Sequence, residues 1–244
     1  MRGGVHGLMT RLVEGVRRDV DALARAKYDA VIIENFGDAP FEPGSVSPIT
    51  VAAMTACVAA ATADGRLAVG VNVLRNDVRS ALAIAAATGA TFVRVNVHVG
   101  AVVADQGIIV GRAHETMRER AAWGAERVQV WADVDVKHAA PLGKRPVDEV
   151  TKDAVLRGLA DAVLVTGAAT GAKVDGDALA RVRSATRAPI YIASGAIPDD
   201  LSRLRELGAD GVIVGSFLRR GGRAGGPIDR TRAATFARAF RKSF

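Results

Sequence analysis

The sequence predicts a single (β/α)8 barrel of the TIM type, with the first strand short, degenerate or missing. Three observations predict it. Short β-branched runs recur along the chain, and a helical stretch separates each from the next. Their starts lie 21 to 38 residues apart, the length of one strand plus one crossover helix. The chain has 244 residues, close to the roughly 250 of one such barrel, and no Pro/Ser-rich or low-complexity stretch marks a linker. Residues 1–244 are therefore read as one domain.

The strands are read, in order, as Ala30–Glu34, Ala68–Asn72, Phe92–Asn96, Val128–Asp133, Ala162–Thr166, Ile190–Ser194 and Gly211–Val214. Amphipathic or Ala-rich stretches fall between or before them: Leu12–Ala26, Val51–Ala63, Val78–Thr88 and Asp199–Leu207. Three strands follow a Gly-Ala helix exit, at Gly89-Ala90, Gly124-Ala125 and Gly208-Ala209. Glycine there suits the left-handed residue that ends a helix. Alternating strands and helices imply a parallel sheet covered by helices. With 49% hydrophobic residues and only 5% aromatic, the core is built from Val, Ile, Leu and Ala, which fill a parallel barrel well.

Seven strands are legible, and a closed barrel has eight. The eighth should precede Leu12, where Gly3-Gly4-Val5-His6-Gly7 makes a poor strand. The competing fold is an open doubly wound sheet, but no G-x-G-x-x-G follows the first strand.

Side chains alternate faces along a strand. In 92–98, Val93, Val95 and Val97 share one face, and Arg94, Asn96 and His98 the other. In 128–137, Val130, Ala132, Val134 and Val136 alternate with Trp131, Asp133, Asp135 and Lys137. The same phase puts Ile32/Glu34, Gly70/Asn72, Leu164/Thr166, Ile192/Ser194 and Ile213/Gly215 inward. The inward face thus turns polar at the C-terminal ends of the strands, where TIM-barrel sites lie. Glu34, Asn72, Arg94, Asn96, Asp133, Thr166 and Ser194 form the expected ring. A buried Arg94 requires an acidic partner or an anionic ligand, and Glu34 and Asp133 are the acidic candidates.

The last strands end in Ser194-Gly195 and Gly215-Ser216, with Thr166-Gly167 on the strand before. Glycines and backbone N–H groups at such turns bind phosphate in many barrels. Gly167, Ser194, Gly195, Gly215 and Ser216 are the phosphate-binding candidates. In Asn72-Val73-Leu74-Arg75-Asn76-Asp77, Asp77 is expected to cap the next helix, which leaves Arg75 and Asn76 to reach a ligand. After Asp133, Lys137 and His138 are candidate acid–base groups, because both residue types can be tuned toward neutral pH. Asp133, Asp135 and His138 also have the donor chemistry for a divalent metal. No HExxH or Cys/His zinc spacing is present, and no other cofactor is indicated.

The lone Cys57 allows no internal disulfide and reads as a small apolar core residue. No apolar run is long enough to span a bilayer, and a cytoplasmic protein is expected. The net charge of +7 comes with arginines spread over many helices; the one dense patch is Arg219, Arg220 and Arg223. Without a recognition module or stacking aromatics, no nucleic-acid partner is expected. The expected partner is a small anionic or phosphorylated ligand. Homo-oligomers are expected from the fold, although no specific interface is legible.

These segments also carry a family resemblance. Glu34-Asn35-Phe36-Gly37-Asp38-Ala39-Pro40-Phe41 resembles the EN-x-x-D-x-PF signature of the BtpA/SgcQ family, and Gly70–Asp77 matches its GVNVLRND stretch. Arg94-Val95-Asn96, Asp105-Gln106-Gly107, Asp133 with Lys137-His138-Ala139, Thr166-Gly167 and Val214-Gly215-Ser216 follow in the family's order. The resemblance implies a ribulose-phosphate-binding-type barrel. Its functional set would be Glu34, Asn35, Asp38, Asn72, Arg75, Asn76, Arg94, Asn96, Asp133, Lys137 and His138. One branch of the family is linked to photosystem I accumulation, another to sugar metabolism. Members usually begin with a His-bearing strand and an LPG-x-P turn, of which only Val5-His6-Gly7-Leu8 is present here.

Three functions fit these readings. The first is an enzyme acting on a phosphorylated sugar or similar anion by isomerase, epimerase, aldolase or lyase chemistry. Lys137, His138, Glu34 and Asp133 would exchange protons, and Arg94 and Arg75 would hold charge. The second is a non-catalytic assembly factor of the photosystem type. The third is a metal-dependent phosphoester or nucleotide hydrolase.

Overall fold

The computed structural model describes residues 5–134, 139–166, 175–222 and 225–244. Lys137, His138, Asp135, Gly167 and Arg223, all named from the sequence, lie outside them.

Seven parallel strands form the main sheet: β1 (Ala30–Glu34), β2 (Ala68–Asn72), β3 (Phe92–Val95), β6 (Gln129–Asp133), β8 (Ala162–Val165), β9 (Ile190–Ile192) and β10 (Gly211–Val212). They pair in chain order from β1 to β10, so every neighbour is reached by one crossover. The crossovers carry α2 (Pro48–Thr62), α3 (Val78–Thr88), α4 (Ala113–Ala122), α5 (Val147–Lys152), α6 (Gly176–Ala185) and α7 (Leu201–Glu206). This is the TIM-type barrel that the sequence predicts, with seven of the eight strands among the described residues.

Where a first strand was sought there is a helix, α1 (Val5–Arg25), seven residues longer at its start than the stretch read as helical. Leu8, Leu12, Val16, Val20 and Leu23 recur at intervals of three and four, a helical stripe. Val20 and Leu23 reach the core, while Leu8 and Leu12 stay half exposed. The stripe outweighs the Gly-rich start. Helix α1 packs against both α2 and α8 (Arg230–Ser243), and so bridges the first and last helices of the series. The sheet does not close: among the described residues, β1 and β10 are its two edges. Tyr28, Val212, Val214 and Phe236 line a small cavity between those edges.

The apolar strand faces meet the helices. Val69, Val71, Val93, Val95, Val130, Ala132, Val163, Val165, Ile190 and Ile192 join Leu82, Ile84, Leu179 and Leu204 in one buried core. The inward face was read correctly on β1, β2, β3, β6 and β8 but not on β9. Tyr191, not Ile192, pairs with inward-facing Leu164, and Ile192 pairs with Val165 on the helix side. The reason is aromatic packing. Phe92, Trp131 and Tyr191 stack inside the barrel, with ring centroids 3.8 and 4.5 Å apart. Gly70 and Gly211 make room: a Cβ on Gly70 would lie 2.2 Å from the Phe92 ring, and one on Gly211 2.9 Å from Tyr191.

The helix ends follow their signals. Asp77 accepts from the Ser80 N–H and hydroxyl at the start of α3, as expected of a cap. Gly89, Gly124 and Gly208 all have positive φ at helix exits. Cys57 is buried in α2.

One feature was not anticipated. Strands β4 (Ala101–Ala104), β5 (Gly107–Val110) and β7 (Ala139–Pro141) form a small antiparallel sheet, in the order β5-β4-β7, on the loops that follow β3 and β6. Ala104 pairs with Gly107 across the two-residue loop Asp105-Gln106. Two apolar runs split by two residues ending at a glycine are a hairpin signal. The signal was present in Ala101–Val110.

Candidate functional site

The C-terminal ends of β1, β2, β3 and β6 converge on a connected polar network. Glu34 closes β1 and Asn72 closes β2, opposite each other in register. Asn72 Nδ2 donates to Glu34 Oε1 at 2.9 Å. Arg94 on β3 lies between two carboxylates. Its Nε and Nη2 donate to Asp133 Oδ2 and Oδ1 at 3.1 and 3.2 Å, and its Nη1 donates to Glu34 Oε1 at 3.4 Å. Asn96 adds a bond from Nδ2 to Asp133 Oδ2 at 2.7 Å.

Four strands thus bring together Glu34, Asn72, Arg94, Asn96 and Asp133, as the alternation predicts. The network is deep: the side chains of Asp133 and Arg94 are 1% and 12% exposed, and that of Glu34 28%. Burial opposes the Arg94 charge, but Asp133 and Glu34 outweigh it and hold the guanidinium above its ordinary pKa. Burial pushes the Asp133 carboxyl above the usual carboxylate range, against the hydrogen bonds from Arg94 and Asn96. Glu34 is the carboxylate that solvent reaches.

Arg75, on the loop after β2, completes the charges. Burial lowers its pKa from the ordinary arginine value, while Asp133, Asp105 and Glu34 oppose that shift. Arg75 therefore lies within electrostatic reach of the network and of the β4–β5 hairpin tip. Glu34 and Asp133 are matched in charge by Arg94 and Arg75.

Two asparagines read as ligand contacts are spent on backbone. Asn35 Oδ1 accepts from Leu74 N at 2.7 Å, and its Nδ2 donates to Leu74 O at 3.3 Å and to Asp38 Oδ2 at 3.2 Å. Asn76 repeats the device one loop further on: Nδ2 donates to Val97 O and Oδ1 accepts from Val97 N, both at 2.9 Å. Each amide acts as a peptide group and ties one strand-end loop to the next. Asn76 is thus not free to reach out as its loop position suggested, and Asp38 is exposed at the rim.

Thr166 is buried just beyond β8, and Ser194 is buried two residues beyond β9. Gly195 has φ 74°. Gly215 precedes a short 3-10 turn, Ser216–Leu218, and borders open space.

His98, which shares the polar phase of β3, is buried elsewhere. Its Nε2 meets Gly158 O at 2.8 Å beside the π-helical turn Asp153–Arg157, and burial lowers its pKa. Gly158 is needed there, because a Cβ would lie 2.7 Å from Ala154 O and 3.0 Å from the His98 ring. Among the described residues, no group of three or more His, Cys, Asp or Glu side chains is placed to hold a metal. The trio Asp133, Asp135 and His138 falls partly outside them.

A parallel barrel whose strand ends carry a buried charge network is a TIM-type barrel with its polar mouth where such barrels hold their sites. Solved structures agree on the fold. Thiamine phosphate pyrophosphorylase from Pyrococcus furiosus superposes with a TM-score of 0.63 at 14% identity, over 96% of this chain and 93% of that one. N-(5'-phosphoribosyl)anthranilate isomerase from Pyrococcus furiosus gives 0.59 at 14% identity, over 92% and 93%. The chain belongs to the BtpA family, whose model matches residues 4–242. It is 42% identical to the photosystem I biogenesis protein BtpA of Synechocystis, over 96% of this chain and 81% of that protein. An uncharacterized protein of Thermococcus kodakarensis is also 42% identical, over 93% and 85%. Among the described residues no helix is long and apolar enough to cross a membrane.

Proposed function

We propose that this protein is an enzyme acting on a phosphorylated sugar or similar small anion at the barrel mouth. The observation that carries the reading is the buried Glu34–Arg94–Asp133 network, braced by Asn72 and Asn96. Buried charges are costly, and a barrel needs none for stability. Arg94 is committed to two carboxylates, so it holds them in place and balances their charge. Arg75 is the cation assigned to the ligand's anionic group. Gly167, Ser194, Gly195, Gly215 and Ser216 at the later strand ends are assigned to phosphate. Glu34, the accessible carboxylate, is assigned to proton transfer, with Lys137 and His138 after β6 as its acid–base partners. Proton transfer next to a carbonyl, as in isomerase, epimerase, aldolase or lyase chemistry, fits this set.

A thermal-shift screen tests the reading. The panel would hold inorganic phosphate, pentose and hexose phosphates, nucleotides and divalent metals. A ligand at 100 times its dissociation constant stabilises by about 2.7 kcal/mol. A selective shift with one phosphate ester, lost in Arg75→Ala, is the expected result. No shift with any phosphorylated compound would sink it.

A second reading is a non-catalytic assembly factor. It rests on the name of the Synechocystis relative and on the apolar face that Val103, Ile108, Val110 and Leu142 expose around the small sheet. A stable protein partner captured with the mouth unliganded would favour it.

A further inference from the structure

Asn96 ends the polar network with one atom unused. Its Nδ2 donates to Asp133 Oδ2 at 2.7 Å. A carboxylate only accepts, so that bond fixes the amide with nitrogen toward Asp133 and oxygen away. This oxygen, Oδ1, is buried and has no hydrogen-bond partner among the described residues. Asn96 as a whole is 4% exposed. Flipping the amide gives no relief, because it would set oxygen against the carboxylate. A buried acceptor without a donor is costly and calls for a missing partner.

Two other buried acceptors share this condition, in different settings. His98 Nδ1 belongs to the ring packed beside Gly158. Gln106 Oε1 lies at the hairpin tip, where Gln106 Nε2 donates to Asp105 Oδ2 at 2.6 Å. Asn96 alone of the three is bonded to the carboxylate at the centre of the mouth.

We infer that Asn96 Oδ1 is a fixed acceptor for a hydroxyl of the ligand, so the mouth selects a polyhydroxylated phosphate ester over a bare anion of equal charge. The inference rests on the reading of the mouth as the ligand site. Attraction to Arg75 does not distinguish a sugar phosphate from any other phosphate monoester. An atom that only accepts does, because it needs a proton donor on the ligand.

Calorimetric titration of the purified protein tests this with ribose 5-phosphate, glycerol 3-phosphate, ethyl phosphate, inorganic phosphate and ribitol. At least one hydroxylated ester should bind on the order of tenfold more tightly than ethyl phosphate. Asn96→Leu, of similar size and without polar atoms, should bring that ratio close to one. Equal binding of ethyl phosphate and both hydroxylated esters overturns the inference and leaves the anion site standing. Selectivity that survives Asn96→Leu also overturns it, with water as the partner of Oδ1. Ribitol binding that Asn96→Leu abolishes, with no binding of ethyl phosphate, supports the hydroxyl position and removes the anion site. No binding of any of the five overturns both readings. If Asn96→Leu does not fold, the wild-type ratio decides alone: tenfold supports the inference and a ratio near one overturns it.

Discussion

Arg94 and Asp133 meet in a two-point ion pair inside the barrel, Nε to Oδ2 at 3.1 Å and Nη2 to Oδ1 at 3.2 Å. Such a pair is costly to break from one side, because the other charge stays buried. Arg94→Met should destabilise by about 3–5 kcal/mol at neutral pH, measured by urea unfolding. The loss should shrink as pH falls, since the stranded Asp133 carboxyl, raised by burial, takes up a proton in the folded state first. The double variant Arg94→Met/Asp133→Leu should recover much of the stability. A double variant as unstable as the sum of the singles would contradict this account.

Asn35 and Asn76 should behave as structural residues. Asn76→Ala leaves the N–H and C=O of buried Val97 without their side-chain partner. The expected cost is about 1–3 kcal/mol, and Asn35→Ala should act similarly through Leu74. Ligand affinity lost without any loss of stability would return both residues to a direct binding role.

Gly70→Ala should be strongly unfavourable although the added group is only a methyl. The Cβ would sit 2.2 Å from the Phe92 ring, and that ring is held in the stack with Trp131 and Tyr191. Overpacking of this kind costs about 1–3 kcal/mol. Gly37→Ala, with nothing within 4 Å of its Cβ, is the control, and a comparison of unfolding midpoints separates the two.

His98 gives stability a pH dependence of known sign. Its folded-state pKa lies below the ordinary histidine value of about 6.5 because burial disfavours the charged ring. Above that value both states are neutral, and the full stability is present. As pH falls below it, the unfolded state binds the proton first, so stability falls. His98→Gln should flatten the slope of stability against pH just below about 6.5. Parallel slopes in the variant and the parent would rule out this role.

Hydrophobic periodicity made the strands readable, and residue chemistry made the mouth readable. Glu34, Asn72, Arg94, Asn96 and Asp133 were found because they break the apolar pattern in one phase on neighbouring strands. Asn76 reads as a ligand contact because an asparagine in a loop looks the same whether it meets a ligand or a backbone, and Asn35 does so only through the family resemblance. Tyr191 was placed on the wrong face because Ile-Tyr-Ile fits either phase, and the Phe92 and Trp131 rings that decide it lie far away in the chain. The β4–β5 hairpin is legible in Ala101–Val110, but the parallel-barrel pattern is the stronger signal along the chain.

The sequence by itself determined the order of strands and helices, the caps at Asp77 and Gly89, and which residues collect at the strand ends. These depend on local alternation and on backbone preferences that each segment carries alone. Only the tertiary structure decided that Arg94 is shared by Asp133 and Glu34, that Asn35 and Asn76 are bound to backbone, and that Asn96 points a buried acceptor away from Asp133. These depend on distances between residues far apart in the chain, and those distances are set when the sheet curls and its strand ends converge.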